Sequence, residues 1–138
     1  MSDLEQANSM LVMARKDLQA LKGMGDEDVF PVEIYGFHVQ QAVEKVLKAW
    51  LCCLGKSYPK IHDLDELAAL LKDAGTEVPG EFTSLLEYTD FATTFRYEAY
   101  AEFGGVSDRT EVADTVDRFV AYVAEMVREG EKAKKESS

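Results

Sequence analysis

Apolar residues recur three and four positions apart along nearly the whole chain, the spacing that an α-helix places on one face. The first such segment covers about residues 3–22 and ends where Gly23 and Gly25 interrupt the pattern. A second helix is predicted over about residues 31–55, because Pro31 suits a first helical turn. The connection between the two is short, so we expect them to pack as antiparallel neighbours.

Two further helices are predicted beyond the loop "GKSYPK". Asp63 can cap the third helix, and Glu66 three residues later completes a pattern like a capping box. This helix is expected to end at about residue 74, before a glycine. Pro79 opens the fourth helix, which is expected to end between residues 94 and 100.

Ser107 or Asp108 caps a fifth predicted helix, in which valines and a phenylalanine recur three and four positions apart. No alternating apolar and polar run is long enough for a strand, and no internal repeat is present. The sequence predicts an all-α protein, an up-and-down helical bundle of four to five helices. A length of 138 residues suits one domain. We place it over residues 1–130, followed by a polar tail at 131–138 that is expected to fray.

Charge is unevenly distributed. The formal net charge of −11 argues against broad, non-specific coating of nucleic acid, which needs a basic surface. Residues 31–62 carry four lysines against two glutamates, a local charge of +2, so the remainder carries −13. One basic island on an acidic body suits a compact anion better than a long polyanion, which makes RNA the less favoured ligand.

No run approaches the 18 apolar residues of a membrane-spanning helix, and the N-terminus lacks the pattern of a signal peptide. We therefore expect a cytoplasmic protein without a membrane partner. Cys52 and Cys53 are adjacent, and neighbours in a helix point about 100° apart, so they are expected to remain small free thiols. Further ligands at zinc-like spacing are missing, so neither a metal nor another cofactor is predicted.

Five polar residues of the second helix, "FHVQQAVEKVLKAW", fall within an arc of roughly 120°: His38, Gln41, Glu44, Lys45 and Lys48. Valines, leucines and Trp50 occupy much of the opposite side. Such a stripe can be an ordinary wet face, with Glu44 and Lys48 as an i,i+4 pair. Apolar residues beside the stripe indicate instead a cleft or a subunit contact. There the imidazole, amide and amines could hold a phosphate and bind a base edge or a sugar hydroxyl.

The other histidine, His62, directly precedes the capping residue Asp63. One interpretation makes His62 a hydrogen-bonding residue at the helix entry. As a site, Asp63 would orient the imidazole of His62 or of His38, and that imidazole would donate to a phosphate or transfer a proton. Two histidines and an aspartate could in principle hold a metal, but their spacing matches no recognised metal motif.

Three segments together resemble the HEPN (higher eukaryotes and prokaryotes nucleotide-binding) family: "FHVQQAVEKVLKAWL", "KIHDLDELAALL" and "FRYEAY". The resemblance covers about residues 4–127, and the first two motifs in order are the more specific. It rests on Phe37, His38, Gln40, Gln41, Glu44, Lys45 and Lys48, on His62, Asp63 and Leu64, and on Arg96 and Tyr97.

The resemblance implies a helical bundle that forms a homodimer. It also implies a minimal nucleotidyltransferase partner, the pair forming a toxin–antitoxin-like module. Two functions occur among such proteins. One branch consists of metal-independent ribonucleases, in which an arginine and a histidine four to six residues later act on RNA. The other branch binds nucleotides or serves as a non-catalytic partner.

The ribonuclease pattern is missing from this sequence. Both histidines, His38 and His62, precede Arg96, so no imidazole follows the arginine at the required distance. The group that would act as acid or base on a 2′-hydroxyl is therefore absent from the motif. This favours a protein without catalysis, and we assign no catalytic residue.

We accordingly predict a module that binds a nucleotide or another phosphate-bearing ligand and works with a nucleotidyltransferase. The ligand-binding residues implied are His38, Gln41, Lys45, Lys48, His62, Asp63, Arg96 and Tyr97. One alternative is a ribonuclease in which the fold or a dimer brings His38 or His62 to Arg96. The other is a non-catalytic dimeric interaction protein whose polar stripe is the subunit interface.

Overall fold

A computed structural model describes residues 2–91 and 108–137. In order along the chain they form α1 (Asp3–Gly23), α2 (Val32–Cys53), α3 (Leu64–Asp73), a 3₁₀ helix (Gly80–Phe91) and α4 (Arg109–Glu136). The described part of the chain contains no strand. This confirms the predicted all-α fold, and both ends of α1 and α2 lie within two residues of the predicted bounds.

Helices α1 and α2 run antiparallel. The Cys52 thiol near the end of α2 lies 3.8 Å from the Gln6 side chain near the start of α1. Asp17, further along α1, contacts Lys45 at an earlier position of α2. The turn between them begins at Met24, whose backbone N–H donates to the Leu21 carbonyl. The short connection therefore produces the antiparallel pair that the sequence predicted.

Helix α4 packs against both of these helices. It is antiparallel to α1, since Lys22 at the end of α1 pairs with Asp117 near the start of α4. It is parallel to α2, because Trp50 near the end of α2 packs edge-on against Tyr122 and Phe119, with ring centroids 5.7 and 6.4 Å apart. Most residues of α2 are buried, so α2 is the central helix of the bundle.

Over Gly80–Phe91 the fourth helix is a 3₁₀ helix and not the α-helix that we predicted, and its predicted end, between residues 94 and 100, lies outside the described residues. Its buried residues are Phe82, Leu85, Tyr88 and Phe91, each three positions after the one before. A 3₁₀ helix has three residues per turn, so this strict spacing places all four on one face, where an α-helix would spread them. Burial of that face against the core thus offsets the poorer hydrogen-bond geometry of this long 3₁₀ segment.

Gly36 of α2 lets the 3₁₀ helix approach closely. A Cβ atom at Gly36 would lie 2.3 Å from ring carbons of Phe91, a distance that real Cβ contacts do not reach. The ring of Phe91 therefore occupies the place where any larger residue would project. The glycine is needed here for space, because its backbone is ordinary α-helix.

Arg109, the first residue of α4, connects three helices in the interior. Its Nη1 donates to the Met24 carbonyl over 2.8 Å, and its guanidinium lies 4.7 Å from the centre of the Tyr35 ring. The Tyr35 hydroxyl in turn donates to the backbone carbonyl of Arg109 over 2.9 Å. Burial raises the pKa of Tyr35 to about 12, against a smaller opposing effect of Arg109. These contacts fix the start of α4 against α1 and α2.

Helix α4 continues to Glu136, through the tail that we expected to fray. Lys134 and Lys135 lie in its last turn, where cations interact favourably with the helix dipole, and the Asn8 side chain donates to Glu131. Cys52 is buried and Cys53 half-buried, both as free thiols, as predicted. Across residues 2–91 and 108–137, no helix combines the length and apolar character needed to cross a membrane.

Candidate functional site

The polar stripe of α2 divides into two hydrogen-bonded clusters. We call the first the Asp17 cluster; it consists of Asp17, His38 and Lys45. We call the second the Glu44 cluster; it consists of Gln40, Glu44, Lys48 and His62. The two histidines thus pair with different carboxylates.

The Asp17 cluster joins α1 to α2. Lys45 Nζ lies 2.5 Å from Asp17 Oδ2, and His38 Nδ1 lies 3.4 Å from Asp17 Oδ1. The carboxylate is largely covered, with 13% of its side chain exposed, whereas His38 is 30% and Lys45 19% exposed. One carboxylate therefore receives both basic side chains and holds the two helices together.

The Glu44 cluster is more deeply buried and joins α2 to the loop before α3. Glu44 Oε1 accepts from Gln40 Nε2 over 2.9 Å and lies 2.9 Å from His62 Nδ1, while Oε2 accepts from Lys48 Nζ over 3.1 Å. Gln40 also donates to the His62 carbonyl, and Gln41 donates to the side-chain oxygen of Gln40. The side chains of Glu44 and Lys48 are only 6% and 9% exposed, so this part of the stripe is not a wet face.

Glu44 is the centre of this second cluster. Burial alone would raise the pKa of its carboxyl group, but the hydrogen bonds from Gln40, His62 and Lys48 and the charge of Lys48 outweigh burial and lower the pKa below its usual value. The carboxylate is therefore ionised at neutral pH. A buried anion bonded in this way is a fixed acceptor that orients the groups around it.

His62 is the exposed member of the Glu44 cluster. Its side chain is 54% exposed, and the contact with Glu44 involves Nδ1. Within the described part of the chain its other nitrogen, Nε2, has no hydrogen-bond partner. Beside it, Lys48 Nζ lies 5.3 Å from the centre of the Tyr58 ring, a cation–π contact that attaches the same loop to α2. The loop thus presents an oriented imidazole to solvent.

Asp63 caps α3, which is one of the two roles that the sequence predicted for it. Its Oδ1 accepts from the backbone N–H groups of Asp65 and Glu66, which makes Asp63 the N-cap of α3. Thr89 Oγ1 lies 3.4 Å from the same oxygen and accepts from the backbone N–H of Leu64. The carboxylate that contacts His62 is Glu44, whereas Asp63 bonds to the first turn of α3 directly after the histidine.

Two of the predicted site residues, Arg96 and Tyr97, lie outside the described residues. The other six are divided: His38 and Lys45 belong to the Asp17 cluster, Lys48 and His62 to the Glu44 cluster, Gln41 lies beside Gln40, and Asp63 caps α3. Within the described ranges, no group of three or more histidine, cysteine, aspartate or glutamate residues is placed to hold a metal ion.

The family model described as the HEPN domain matches residues 7–131 of the chain. The chain belongs to the HEPN family. No curated protein and no solved structure matches it. The match covers both polar clusters and every helix except the ends of α1 and α4, so the resemblance drawn from the three motifs is confirmed over nearly the whole chain.

Two members of the clusters in this HEPN chain, and one residue that contacts a cluster, were not predicted as site residues from the sequence. Asp17 was not considered because it lies on α1, although it flanks the buried line of α1 at Ala14 and Leu18. Gln40 was named only among the residues that carry the HEPN resemblance and not as a site residue. It is fully buried and donates to both the Glu44 carboxylate and the His62 carbonyl. Nothing in the sequence predicted the contact of Tyr58 with Lys48, apart from the presence of an aromatic residue in a polar loop.

Proposed function

We propose that this HEPN protein binds the phosphate group of a nucleotide at the Glu44 cluster and acts beside a nucleotidyltransferase in a toxin–antitoxin-like module. The observation that carries the proposal is the half-exposed His62, whose Nδ1 is engaged by the buried Glu44 carboxylate and whose Nε2 faces away from it. With Nδ1 engaged in this way, Nε2 is the atom that meets the ligand, and it donates to a phosphate oxygen when both ring nitrogens carry hydrogen.

The hydrogen bond to Glu44 decides which atom of His62 meets the ligand. Nδ1 carries the hydrogen when it donates to a carboxylate, so Nε2 is the nitrogen left for an outside partner. Protonated Nε2 donates to a phosphate oxygen, and such charge-assisted hydrogen bonds are about twice as strong as neutral ones. Glu44 therefore acts as a positioning residue, and His62 as the group that touches the ligand.

Cations near His62 support an anionic ligand. Lys48 is already bonded to Glu44, so these two charges balance, and a protonated His62 gives the cluster a net positive charge. Lys56 and Lys60, on the same loop, are exposed and form no ion pair with a described residue. Lys45 is committed to Asp17, so the proposal depends on His62 and the loop lysines more than on the α2 stripe.

Isothermal titration calorimetry of the full chain with ATP, GTP and AMP tests nucleotide binding. We expect His62→Gln to weaken binding about tenfold, since a hydrogen bond to a charged group contributes about 1.5–3 kcal/mol. Lys132→Gln, which removes an exposed cation from α4, is the matched control and should bind as the original chain does. Absence of nucleotide binding, or equal affinity in His62→Gln, would refute the proposal.

The partnership needs its own test. A nucleotidyltransferase gene beside the gene for this chain, and co-purification of the two proteins, are the results we expect. We also expect expression of the HEPN protein alone to slow growth and co-expression of the nucleotidyltransferase to restore it. A chain that neither binds such an enzyme nor affects growth would contradict the toxin–antitoxin-like role.

We propose further that the chain forms a homodimer. Large apolar side chains remain exposed near the start of α2, where Val29 is 63% and Ile34 39% exposed, and Phe37 nearby is only half-buried. Burial of such residues commonly drives association. Light scattering should give twice the monomer mass for the original chain and the monomer mass for Ile34→Glu; a monomeric original chain would contradict this expectation.

A metal-independent ribonuclease is the second candidate function. The observation that favours it is the same carboxylate–imidazole pair, since a histidine oriented by a carboxylate is a common general acid or base. Cleavage of RNA in the presence of a chelator, lost in His62→Gln, would support this alternative. Nucleotide binding without cleavage would support the first proposal.

A further inference from the structure

A small groove lies between the ends of α2 and α3, apart from both polar clusters. Its volume is about 240 Å³, and it is lined by Leu51, Lys56, Ser57, Leu70, Asp73 and Ala74. Ligand sites for drug-sized molecules occupy roughly 300–1,000 Å³. The groove is therefore too small for a nucleotide and suits a molecule with few heavy atoms.

Two opposite charges line this groove without neutralising each other. Lys56 and Asp73 are both exposed, and neither forms an ion pair within the described residues. Asp73 is the last residue of α3, where the helix dipole already makes the surroundings negative and disfavours a further anion. The position is thus suited to a cationic group, just as Lys56 is suited to an anionic one.

The rest of the lining divides in the same way. Leu51 is buried, and Leu70 and Ala74 are half-buried, so together they form an apolar surface. The Ser57 hydroxyl, next to Lys56, adds a hydrogen-bond donor on the basic side. A complementary ligand would carry a carboxylate, an ammonium group and an aliphatic side chain.

We propose that the groove binds a free α-amino acid with an aliphatic side chain. Its carboxylate contacts Lys56 and Ser57, its ammonium group contacts Asp73, and its side chain packs on Leu51, Leu70 and Ala74. The groove shares Lys56 with the loop lysines invoked for the nucleotide, but none of its lining residues belongs to the Glu44 cluster. The proposal therefore does not depend on nucleotide binding.

Nuclear magnetic resonance titration of the ¹⁵N-labelled full chain with L-leucine tests the proposal. We expect saturable shifts confined to residues 51, 56–57 and 70–74, reached at about 10 mM ligand, as for a Kd in the millimolar range. Leucinamide, which lacks the carboxylate, and N-acetyl-leucine, which lacks the ammonium group, should each bind at least about tenfold more weakly, the loss of one charged contact. Glycine, without the apolar group, should also bind more weakly.

Variants assign each charge. Lys56→Gln should weaken L-leucine binding about tenfold but leave leucinamide binding unchanged, because leucinamide has no carboxylate. Asp73→Asn should also weaken L-leucine binding about tenfold but leave N-acetyl-leucine binding unchanged, because N-acetyl-leucine has no ammonium group. Lys60→Gln and Asp65→Asn, exposed residues of the same loop and the same helix that do not line the groove, are the controls. No saturable shift with L-leucine overturns the proposal. Equal binding of N-acetyl-leucine also overturns it, since the groove would then hold the C-terminus of a peptide chain.

Discussion

The Asp17 cluster and the Glu44 cluster use the same residue types in opposite arrangements. In the Asp17 cluster the imidazole and the amine lie on α2 and the carboxylate comes from α1. In the Glu44 cluster the carboxylate and the amine lie on α2, and the imidazole comes from the loop before α3. The first cluster therefore joins two rigid helices, whereas the second holds a loop residue at the surface.

Burial separates the two clusters further. Solvent reaches both bases of the Asp17 cluster, whose side chains are 19% and 30% exposed, so water screens its charges. In the Glu44 cluster the Glu44–Lys48 pair is almost completely covered, and only His62 is open to solvent. Similar chemistry thus serves helix packing at one place and presentation of a side chain at the other, and burial of the carboxylate distinguishes them.

The two clusters should differ most in the stability that is lost when the carboxylate of each is removed. Glu44→Ala leaves the Lys48 ammonium buried without its partner and deprives Gln40 of an acceptor. Breaking a buried ion pair in this way costs about 3–5 kcal/mol. We therefore expect urea denaturation to show a decrease of about 3 kcal/mol in the free energy of unfolding.

A double variant checks that this loss comes from the stranded charge. Lys48→Met replaces the ammonium with an apolar side chain of similar length, and Glu44→Ala with Lys48→Met leaves no unpaired ion. Because apolar replacement of a buried pair is often neutral, the double variant should be more stable than Glu44→Ala alone. Additive losses in the double variant would mean that the pair is not coupled.

Removing the other carboxylate should matter less. Asp17→Ala releases Lys45 and His38, but both can turn towards solvent, so we expect a loss of about 1 kcal/mol in urea denaturation. Asp117→Ala is the matched control, because the Lys22–Asp117 pair joins α1 to α4 with both side chains about half exposed. Its effect should lie within about 0.5 kcal/mol. Equal losses for Asp17→Ala and Glu44→Ala would remove the distinction between the clusters.

Periodicity predicted the helices whose cores follow the α-helical repeat. The bounds expected for α1, about residues 3–22, and for α3, which Asp63 caps, agree with the structure because local spacing and capping decide them. The prediction of an α-helix in place of the 3₁₀ helix was wrong for a related reason. Phe82, Leu85, Tyr88 and Phe91 also satisfy a loose three-or-four pattern, and only the strict interval of three identifies the tighter helix.

The site could be predicted only in part, because a helical wheel shows which residues share a face of one helix and not what another segment brings to that face. It correctly grouped His38 and Lys45, and Glu44 with Lys48, on one side of α2. It could not show that Asp17 approaches from α1 or that His62 folds back from a loop, since both contacts depend on tertiary packing between distant segments. Whether Arg96 and Tyr97 contribute stays a prediction.

Acid should affect the stability contributed by the Glu44 cluster in a defined direction. The pKa of Glu44 is lower in the folded chain than its ordinary value of 4.5, so the unfolded chain takes up the proton first. Its stabilising effect is fully present above that ordinary value and is lost as the pH falls through the lower folded value. Between about pH 7 and pH 3, the original chain should therefore lose more stability than Glu44→Gln.

Glu77→Gln is the control for this pH dependence. Glu77 is exposed and forms no hydrogen bond or ion pair with a described residue, so its variant should follow the original chain at every pH. Urea midpoints measured at successive pH values give the comparison directly. A Glu44→Gln variant whose stability falls as steeply as that of the original chain would show that other carboxyl groups cause the acid sensitivity.

The smallest effect is expected for His62→Gln. The side chain is 54% exposed, and its backbone carbonyl, which accepts from Gln40, is unchanged by the substitution. Substitutions at exposed positions usually change the free energy of unfolding by less than about 0.5 kcal/mol, and we expect that result in urea denaturation. A loss as large as that of Asp17→Ala would make His62 a packing residue and would remove the distinction between the two clusters. A small loss together with weakened nucleotide binding would instead separate stability from ligand binding within one cluster, because Glu44 would carry the first and His62 the second.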